Sequence, residues 1–212
     1  MPPEVDVTTK RAIPILVVVA ILSAAIFTQV GAGGSEPNEN GTATSCGTAP
    51  VGYNVIESDA PTINGTPGDD YICAGPSDNH IIAEDGDDLI FGKGGKDFID
   101  GGYGNDQISS GGQNDEVRGG PGHDIIEGGG GADTLRGDAG KDTLNGGVGS
   151  DLIFGGAGAD TIRGGDQSDI LHGNKGNDLI FGGRGDNDRA SGGTGIDECL
   201  SLIHISEPTR PY

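Results

Sequence analysis

The chain has 212 residues, of which 43 are glycine, 4% are aromatic and none is tryptophan. Its 33 acidic side chains outnumber its 12 basic ones, and the formal net charge is -21. Such a charge argues against nucleic acid as a partner and favours cations, and so few large apolar side chains do not suggest a second packed core.

The first predicted element is an export leader over residues 1–32. Lys10 and Arg11 precede an apolar stretch, and small residues then lead to Ala32. This is the order of a cleavable signal peptide. The apolar stretch that starts at Ala12 has 19 residues and could instead remain as a membrane anchor. We therefore predict a secreted, extracellular protein, with attachment to the membrane through this uncleaved segment as the alternative.

Residues 33–64 are predicted to form a linker. They are rich in Gly, Pro, Ser, Thr and Asn, which favour turns and loops. The folded domain is therefore expected to begin at Gly65.

A nine-residue repeat runs from Gly65 to Phe181 in thirteen contiguous units. Counting Gly65 as position one, position six is Asp in twelve units and Asn in one, and position eight is always Ile, Val or Leu. Glycine fills position one in ten units and position four in ten. A flexible linker would not keep this register, and collagen repeats every three residues without an obligatory aliphatic side chain. The period therefore indicates a repeat architecture.

Units such as GGYGNDQIS, GGAGADTIR and GGVGSDLIF resemble the RTX (haemolysin-type) calcium-binding nonapeptide, GGxGxDxUx. The resemblance covers residues 65–181 unit by unit and extends more loosely to Cys199. It implies an all-β fold, a right-handed parallel β-roll (solenoid) over residues 65–199. It also implies Ca²⁺ as the cofactor, with several ions bound between stacked turns on both edges.

The physical properties of the unit lead to the same expectation. Glycine supplies the positive φ angles of a turn over positions one to six. A short strand over positions seven to nine would point the eighth side chain inward and its neighbours outward. Two units then make a coil of eighteen residues, in which residue n stacks on n+18 at about 4.8 Å. Bare carboxylates at that spacing repel, and Ca²⁺, which accepts about six to eight oxygen ligands in flexible geometry, would reverse the interaction.

Twelve aspartates at position six are the predicted calcium ligands, and they fall into two columns. One column contains Asp70, Asp88, Asp106, Asp124, Asp142, Asp160 and Asp178. The other contains Asp97, Asp115, Asp133, Asp151 and Asp169, with Asn79 at its start. The gaps between stacked turns allow at most about eleven ions in the regular repeats. Ser77, Asn79, Gln113 and Gln167 replace the usual Asp or Gly and are expected to weaken the gaps that they border.

The repeat becomes irregular near its end. The spacing of the acidic position rises from nine to ten residues between Asp178 and Asp188, and the last unit places Cys199 at the inward eighth position. The sequence leaves open whether Asp188 and Asp197 also bind calcium. Such an end is expected to need a cap, because an open coil exposes the core.

The cysteines are Cys46, Cys73 and Cys199. A bond between Cys46 and Cys73 would attach the linker to the first coil and leave Cys199 for a partner in sequence beyond the chain. The alternative is three unrelated thiols.

Residues 200–212 belong to no repeat. The stretch LSLIHISEPTR, from Leu200 to Arg210, resembles a translated transposase-based sequencing adapter. We treat these residues as an artefact and expect the natural protein to continue past Cys199. No functional prediction is based on His204.

Three units carry the triplet LIF at positions seven to nine. Their Leu and Phe side chains are expected to point outward. They either take part in sheet packing or form an apolar patch for a partner.

No catalytic motif is found in the sequence, which has no HExxH or GxSxG pattern, and GDAGKD lacks the P-loop spacing. His80, His123 and His172 occupy different repeat positions and are expected to be ordinary exposed residues. Thirteen inward aliphatic side chains are too few to offset the cost of ordering 117 residues. We therefore predict an exported calcium-binding repeat protein that folds on binding Ca²⁺ and is not an enzyme.

The alternative is the N-terminal calcium-binding module of a longer secreted enzyme, such as a protease or lipase, or of an adhesin. The predicted partners are calcium ions and not nucleic acid. The sequence leaves open a cell-surface or matrix partner.

Overall fold

The computed structural model describes residues 46–185 and 187–200. The regular structure in these residues is entirely β-strand, in seventeen strands. In chain order the strands are β1 Asn54–Glu57, β2 Thr62–Asn64, β3 Asp70–Cys73, β4 His80–Ile82, β5 Leu89–Phe91, β6 Phe98–Asp100, β7 Gln107–Gly112, β8 Glu116–Pro121, β9 Ile125–Gly130, β10 Thr134–Ala139, β11 Thr143–Val148, β12 Leu152–Ala157, β13 Thr161–Asp166, β14 Ile170–Lys175, β15 Leu179–Arg184, β16 Arg189–Thr194 and β17 Glu198–Leu200.

The strands alternate between two parallel sheets. The nine-stranded sheet contains the odd-numbered strands in order from β1 to β17, and the eight-stranded sheet contains the even-numbered strands from β2 to β16. Within the regular repeats each residue pairs with the residue eighteen positions later, as Leu144 does with Ile162. The predicted all-β parallel roll with an eighteen-residue coil is therefore confirmed.

The core is a column of position-eight side chains between the two sheets. All thirteen are 0–3% exposed. They are Ile72, Ile81, Ile90, Ile99, Ile108, Val117, Ile126, Leu135, Leu144, Ile153, Ile162, Leu171 and Ile180. Most side chains at positions seven and nine are half-buried or exposed, because successive residues of a strand face opposite sides. One aliphatic residue in nine thus forms most of the apolar interior.

Strands β7 to β16 are longer than the sequence predicts. Each has six residues instead of three, because positions one to three of the next unit continue the pairing, as Gly111 does with Gly129. The first half of each turn is therefore bonded to the turns above and below it. This stacking holds the second half of the turn, with its acidic residue, at a fixed place.

The N-terminal part of the roll differs from the sequence prediction. Residues 54–64, expected to belong to the linker, form β1 and β2, and Ile63 is buried while Ile56 packs against the core. These residues cover the aliphatic column at its first regular coil, which would otherwise be exposed. Residues 1–45, which include the predicted leader, lie outside the described residues. No helix in the described part of the chain is long and apolar enough to span a bilayer.

Cys46 and Cys73 form a disulfide. Cys46 lies on the outward side of β3, where its carbonyl also accepts a 2.6 Å hydrogen bond from the Tyr71 hydroxyl. Tyr71 is fully buried for this reason, although position seven is otherwise outward. The pairing that the sequence left open is thus the one that attaches the N-terminal segment to the first coil.

Reduction of the Cys46–Cys73 bond is expected to lower the free energy of unfolding of the calcium-loaded chain by about 3 to 4 kcal/mol. The bond joins residues 27 positions apart, and a loop of that size restricts the unfolded chain by about this amount. Denaturant titration of the oxidised and the reduced, alkylated protein measures the difference. Cys199→Ala is the control, because that thiol is free and exposed. Equal unfolding midpoints for the oxidised and reduced forms would contradict the expectation.

The C-terminal coil contains one extra residue, and the pairing offset rises to nineteen. Leu171 pairs with Ala190, and Ile180 with Cys199. Cys199 keeps its predicted register but is exposed, because none of the described residues covers this last coil. Leu200 ends β17 opposite Phe181, and the rest of the adapter-like segment lies outside the described residues.

The three LIF triplets do not form a single patch. Two lie in the nine-stranded sheet, in β5 and β15, with four strands between them, and the third lies in β12 of the other sheet. Their Leu and Phe side chains are half-buried. The apolar patch considered from sequence is therefore not present as one surface.

Candidate metal centre

The turns depend on glycine at two positions of the repeat. Gly147, at position two, has φ 108°, and Gly149, at position four, has φ 144°. A Cβ atom on Gly149 would overlap the backbone carbonyl oxygen of Gly131 in the preceding coil. At Gly149 the stacked turns therefore approach to a distance that leaves no room for a Cβ atom, although Gln113 and Gln167 occupy position four in other units with φ 79°.

The position-six side chains are buried in these turns. The twelve aspartates and Asn79 are 0–4% exposed. In each stacked pair, Oδ1 of the later residue accepts a hydrogen bond from the backbone N–H of the earlier one, as Asp142 does from Asp124 at 2.9 Å. The sequence predicted that stacked carboxylates repel each other directly. In the structure, a backbone N–H group lies between successive carboxylates and donates a hydrogen bond to one of them.

The second oxygen of these carboxylates, Oδ2, is buried and accepts no hydrogen bond in eleven of them. They are Asp88, Asp97, Asp106, Asp115, Asp124, Asp133, Asp142, Asp151, Asp160, Asp169 and Asp178. A buried carboxylate oxygen without a partner is costly. A bound cation is the usual way in which such a cost is offset.

A backbone carbonyl lies close to each of several of these oxygens. A Cβ atom on Gly101 would lie 2.5 Å from Oδ2 of Asp106 and 2.7 Å from the carbonyl oxygen of Gly119. Gly128 has the same surroundings, with Oδ2 of Asp133 at 2.5 Å and the carbonyl oxygen of Gly146 at 2.7 Å. Position one thus leaves a small space that is lined by oxygen atoms and would be filled by any side chain.

Burial changes the acidity of these carboxyl groups. Desolvation raises the pKa of Asp88 to about 7, although the hydrogen bond from the Asp70 N–H opposes the shift, and the neighbouring Asp106 raises it further. Desolvation likewise raises the pKa of Asp97 and Asp124 to about 7, and that of Asp106 and Asp133 to about 6. Without a cation, these groups therefore keep their protons to a higher pH than an exposed aspartate does.

A second ladder of hydrogen bonds, at position five, was not predicted from the sequence. Here the side chain of the earlier coil accepts from the backbone of the later one, as Asp87 does from the Asn105 N–H at 2.7 Å. His123, expected to be an ordinary exposed residue, is exposed but accepts from the Lys141 N–H through Nδ1 at 2.8 Å. The recurrence of Asp, Asn and His at position five was the available signal. This ladder extends from Asp69 to Lys141 and recurs between Asn177 and Ile196, and in those coils it adds to the bonds of the position-six ladder.

The RTX calcium-binding nonapeptide repeat family matches the chain in four copies, over residues 64–99, 82–117, 118–153 and 154–187. The chain belongs to this family. No match was found among curated proteins. Membership implies calcium binding by the repeats, and the predicted β-roll and its resemblance to RTX repeats are both confirmed.

The oxygen-rich turns fit the calcium that RTX repeats bind. Ca²⁺ prefers oxygen ligands, including backbone carbonyls. Within residues 46–185 and 187–200, no three side chains of His, Cys, Asp or Glu converge on one point. A site here would therefore combine carboxylate oxygens with backbone carbonyls.

The structure distinguishes the ends of the two RTX columns from their interior. Both carboxylate oxygens of Asp70 already accept hydrogen bonds from Thr66, through its backbone N–H and its hydroxyl. Asn79 donates from its side chain to the Ala60 carbonyl at 2.8 Å. At the other end, Asp188 and Asp197 continue the hydrogen-bond ladders across the extra residue. We expect the first member of each column to contribute least to calcium binding, and the role of each aspartate as a ligand stays a prediction.

The metal-free RTX roll is expected to gain β-structure on acidification. Four of its buried aspartates, Asp88, Asp97, Asp106 and Asp124, have pKa values near 6 to 7, whereas an aspartate of the unfolded chain has a pKa of about 3.9. Protonation therefore favours the fold, and this stability is lost as the pH rises through 6 to 7. Circular dichroism of the decalcified chain between pH 4.5 and 8 measures the effect. A spectrum that does not change over this range would contradict it.

Proposed function

We propose that the chain is an exported, non-catalytic calcium-binding protein whose roll folds as the ions bind. The observation that carries the proposal is the set of eleven buried Oδ2 atoms without a hydrogen-bond partner. The proposed ligands are these oxygens together with the nearby turn carbonyls. Bound Ca²⁺ supplies the positive charge that makes their burial favourable.

Coupling of folding to binding follows from the small core and the buried charges. The apolar interior contains about one aliphatic residue per nine, and it must offset the ordering of the glycine-rich turns. Burying the ionised aspartates without a cation adds a further cost. Calcium binding then contributes directly to the free energy of folding.

Export is supported by the disulfide and by the leader-like sequence. Disulfides persist mainly outside the reducing cytosol, and Cys46–Cys73 is such a bond. Residues 1–32 have the order of a signal peptide. Extracellular calcium-binding modules have dissociation constants for Ca²⁺ of about 0.1 to 1 mM, and the proposed repeats are expected to have affinities in this range. Mass spectrometry of the secreted protein tests export, since cleavage after Ala32 gives a chain that starts at Gly33.

A non-catalytic role is supported by the sequence, which contains no HExxH or GxSxG pattern and no P-loop. The buried aspartates also have a structural use, because each accepts a backbone hydrogen bond from the preceding coil. The proposed activity is therefore calcium binding and the fold that depends on it.

The decisive experiment is a calcium titration of the full decalcified chain at pH 7.5, followed by circular dichroism. We expect little β-signal in chelator, a cooperative gain between about 0.1 and 1 mM Ca²⁺, and a much weaker response to Mg²⁺, which requires a smaller octahedral site. Full β-signal in chelator, or equal responses to the two ions, would refute coupled folding.

A further inference from the structure

The outward surface of the eight-stranded sheet carries a row of side chains with an unusual order. The row consists of the position-nine residues of successive strands from β2 to β14. In that order they are Asn64, Ile82, Asp100, Arg118, Arg136, Phe154 and His172. All are half-buried or exposed, and neighbours in the row pair along the sheet, as Arg136 does with Phe154. We call these seven residues the outer row.

If a second copy of the outer row is placed against the first in the opposite order, most of the facing side chains are chemically complementary. Arg118 is the central member, and the acidic Asp100 and the basic Arg136 lie on either side of it. The apolar Ile82 and Phe154 come next, followed by the polar Asn64 and His172 at the two ends. Reversing the row therefore sets acid against base, apolar against apolar and polar against polar on either side of the centre, where Arg118 faces its own copy.

The position-seven residues beside this row are compatible with the same reversal. They are Thr62, His80, Phe98, Glu116, Thr134, Leu152 and Ile170. Reversal about Glu116 places Phe98 against Thr134 and His80 against Leu152. At the centre, the Glu116 and Arg118 side chains of one copy would lie beside those of the other. These four side chains have no net charge, and Asp138, the ion-pair partner of Arg118, adds one negative charge from each copy.

Two of the three charged members of the outer row, Asp100 and Arg136, are available to a partner. Arg118 already forms an ion pair with Asp138. Among the described residues, Asp100 and Arg136 have no such pair, and the Arg136 guanidinium lies over the Phe154 ring, 4.6 Å from its centroid. An arginine without an ion pair is notable in a chain with a net charge of -21. The Phe154 ring is half-buried and also stacks on the His172 ring, and arginine and aromatic side chains are both enriched at protein interfaces.

A single rotation brings two outer rows together in reversed order. The rotation is by 180° about an axis that lies between two facing copies and runs parallel to β8. It reverses the order of the strands but leaves their direction unchanged, so that residues at the same repeat position face each other. β10 then faces β6 of the second copy, and β12 faces its β4. Arg136 would meet the second copy's Asp100, and Phe154 its Ile82. Each contact occurs twice, as two-fold symmetry requires.

We propose that the outer row is the interface of a two-fold dimer, with a second copy of this chain as the partner. The footprint is small. Seven strands at about 4.8 Å and three residues at about 3.3 Å give on the order of 300 to 400 Å² per copy, below the roughly 800 Å² of a standard interface. The dimer is therefore expected to be weak and to form only at high protein concentration. Salt near 0.15 M, together with bound calcium, reduces the repulsion between the two acidic copies.

Charge reversal tests the interface. Sedimentation velocity is measured on the full chain in 5 mM Ca²⁺, from about 5 μM to 1 mM protein, with Arg136→Asp, Asp100→Arg and the double variant. Each single reversal places like charges together twice and is expected to weaken dimerisation by about tenfold or more. The double variant restores opposite charges and is expected to dimerise within about threefold of the parent.

The chain provides a matched control on the other sheet. Arg163 also occupies position nine and lies over an aromatic ring, 5.6 Å from the centroid of Phe181, but it belongs to β13 in the nine-stranded sheet. Arg163→Asp is expected to leave dimerisation unchanged. Circular dichroism in calcium confirms that each variant folds, and Arg136→Gln replaces Arg136→Asp if the latter does not fold. The glutamine variant is expected to weaken the dimer by severalfold.

Three results would overturn the proposal. They are a parent chain that remains monomeric at 1 mM, a double variant as weak as the single variants, or an equal loss with Arg163→Asp. Folding is measured separately from association. Failure of the proposed calcium-coupled folding is thus distinguishable from failure of the dimer.

Discussion

Gly149→Ala is expected to destabilise the calcium-loaded roll by about 3 kcal/mol or more. Gly149 has φ 144°, which an alanine adopts only with strain. The added Cβ would also overlap the carbonyl oxygen of Gly131 in the preceding coil. Backbone atoms on both sides of this contact are fixed by sheet pairing, so the overlap cannot be relieved locally. Urea titration in 5 mM Ca²⁺ measures the loss.

Gly130→Ala is the matched control for this experiment. Gly130 lies in a neighbouring turn, and a Cβ atom there has no heavy atom within 4 Å. Its φ is not in the positive region, so alanine is expected to change the free energy of unfolding by less than about 1 kcal/mol. If the two substitutions had equal effects, the contact with Gly131 would not be the cause.

Asp142→Asn is expected to raise the calcium concentration at the folding midpoint by about threefold to tenfold and to reduce the number of ions bound. The asparagine oxygen can still accept the hydrogen bond that Asp142 Oδ1 receives from the Asp124 N–H. The substitution therefore removes mainly the negative charge and the buried Oδ2, which has no hydrogen-bond partner. A neutral amide is a weaker ligand for Ca²⁺ than a carboxylate. Isothermal titration calorimetry gives the stoichiometry, and circular dichroism gives the midpoint.

Asp166→Asn removes the same charge outside the ladder and is the control. Asp166 lies at position three of its repeat, and its side chain is half-buried. We expect both the number of ions and the midpoint to stay close to those of the parent. Unchanged binding by Asp142→Asn would show that Asp142 is not a ligand.

The repeat period contained most of the information about the roll. A strict spacing of nine, with an aliphatic residue at position eight, predicted the core column from Ile72 to Ile180 and the eighteen-residue coil. Most residues at positions two and four have a positive φ, and most of these are glycine. The composition of the turns therefore reflects their backbone geometry directly.

Other features depend on contacts that the repeat spacing does not specify. Ile63 continues the spacing by nine, but Pro61 occupies the position where an aspartate is expected. The repeat pattern therefore did not predict the coil that residues 54–64 contribute. The hydrogen bond to Asp142 Oδ1 comes from the backbone of another coil. Backbone groups have no sequence signature, so the alternation of carboxylate and amide could not be foreseen. The order of the outer row becomes visible only when alternate repeats are assigned to separate sheets.

The offset of eighteen residues between bonded strands constrains how the gene of such a protein can change in length. A duplication or deletion of eighteen residues adds or removes one complete coil and leaves every later residue on its original sheet. A change of nine residues keeps all turns and all inward side chains equivalent, yet it transfers every later outward side chain to the opposite sheet. The interior therefore tolerates both kinds of change, whereas the exterior keeps its identity only when units are gained or lost in pairs. Over evolutionary time, selection on surface recognition alone would favour an even number of units per insertion.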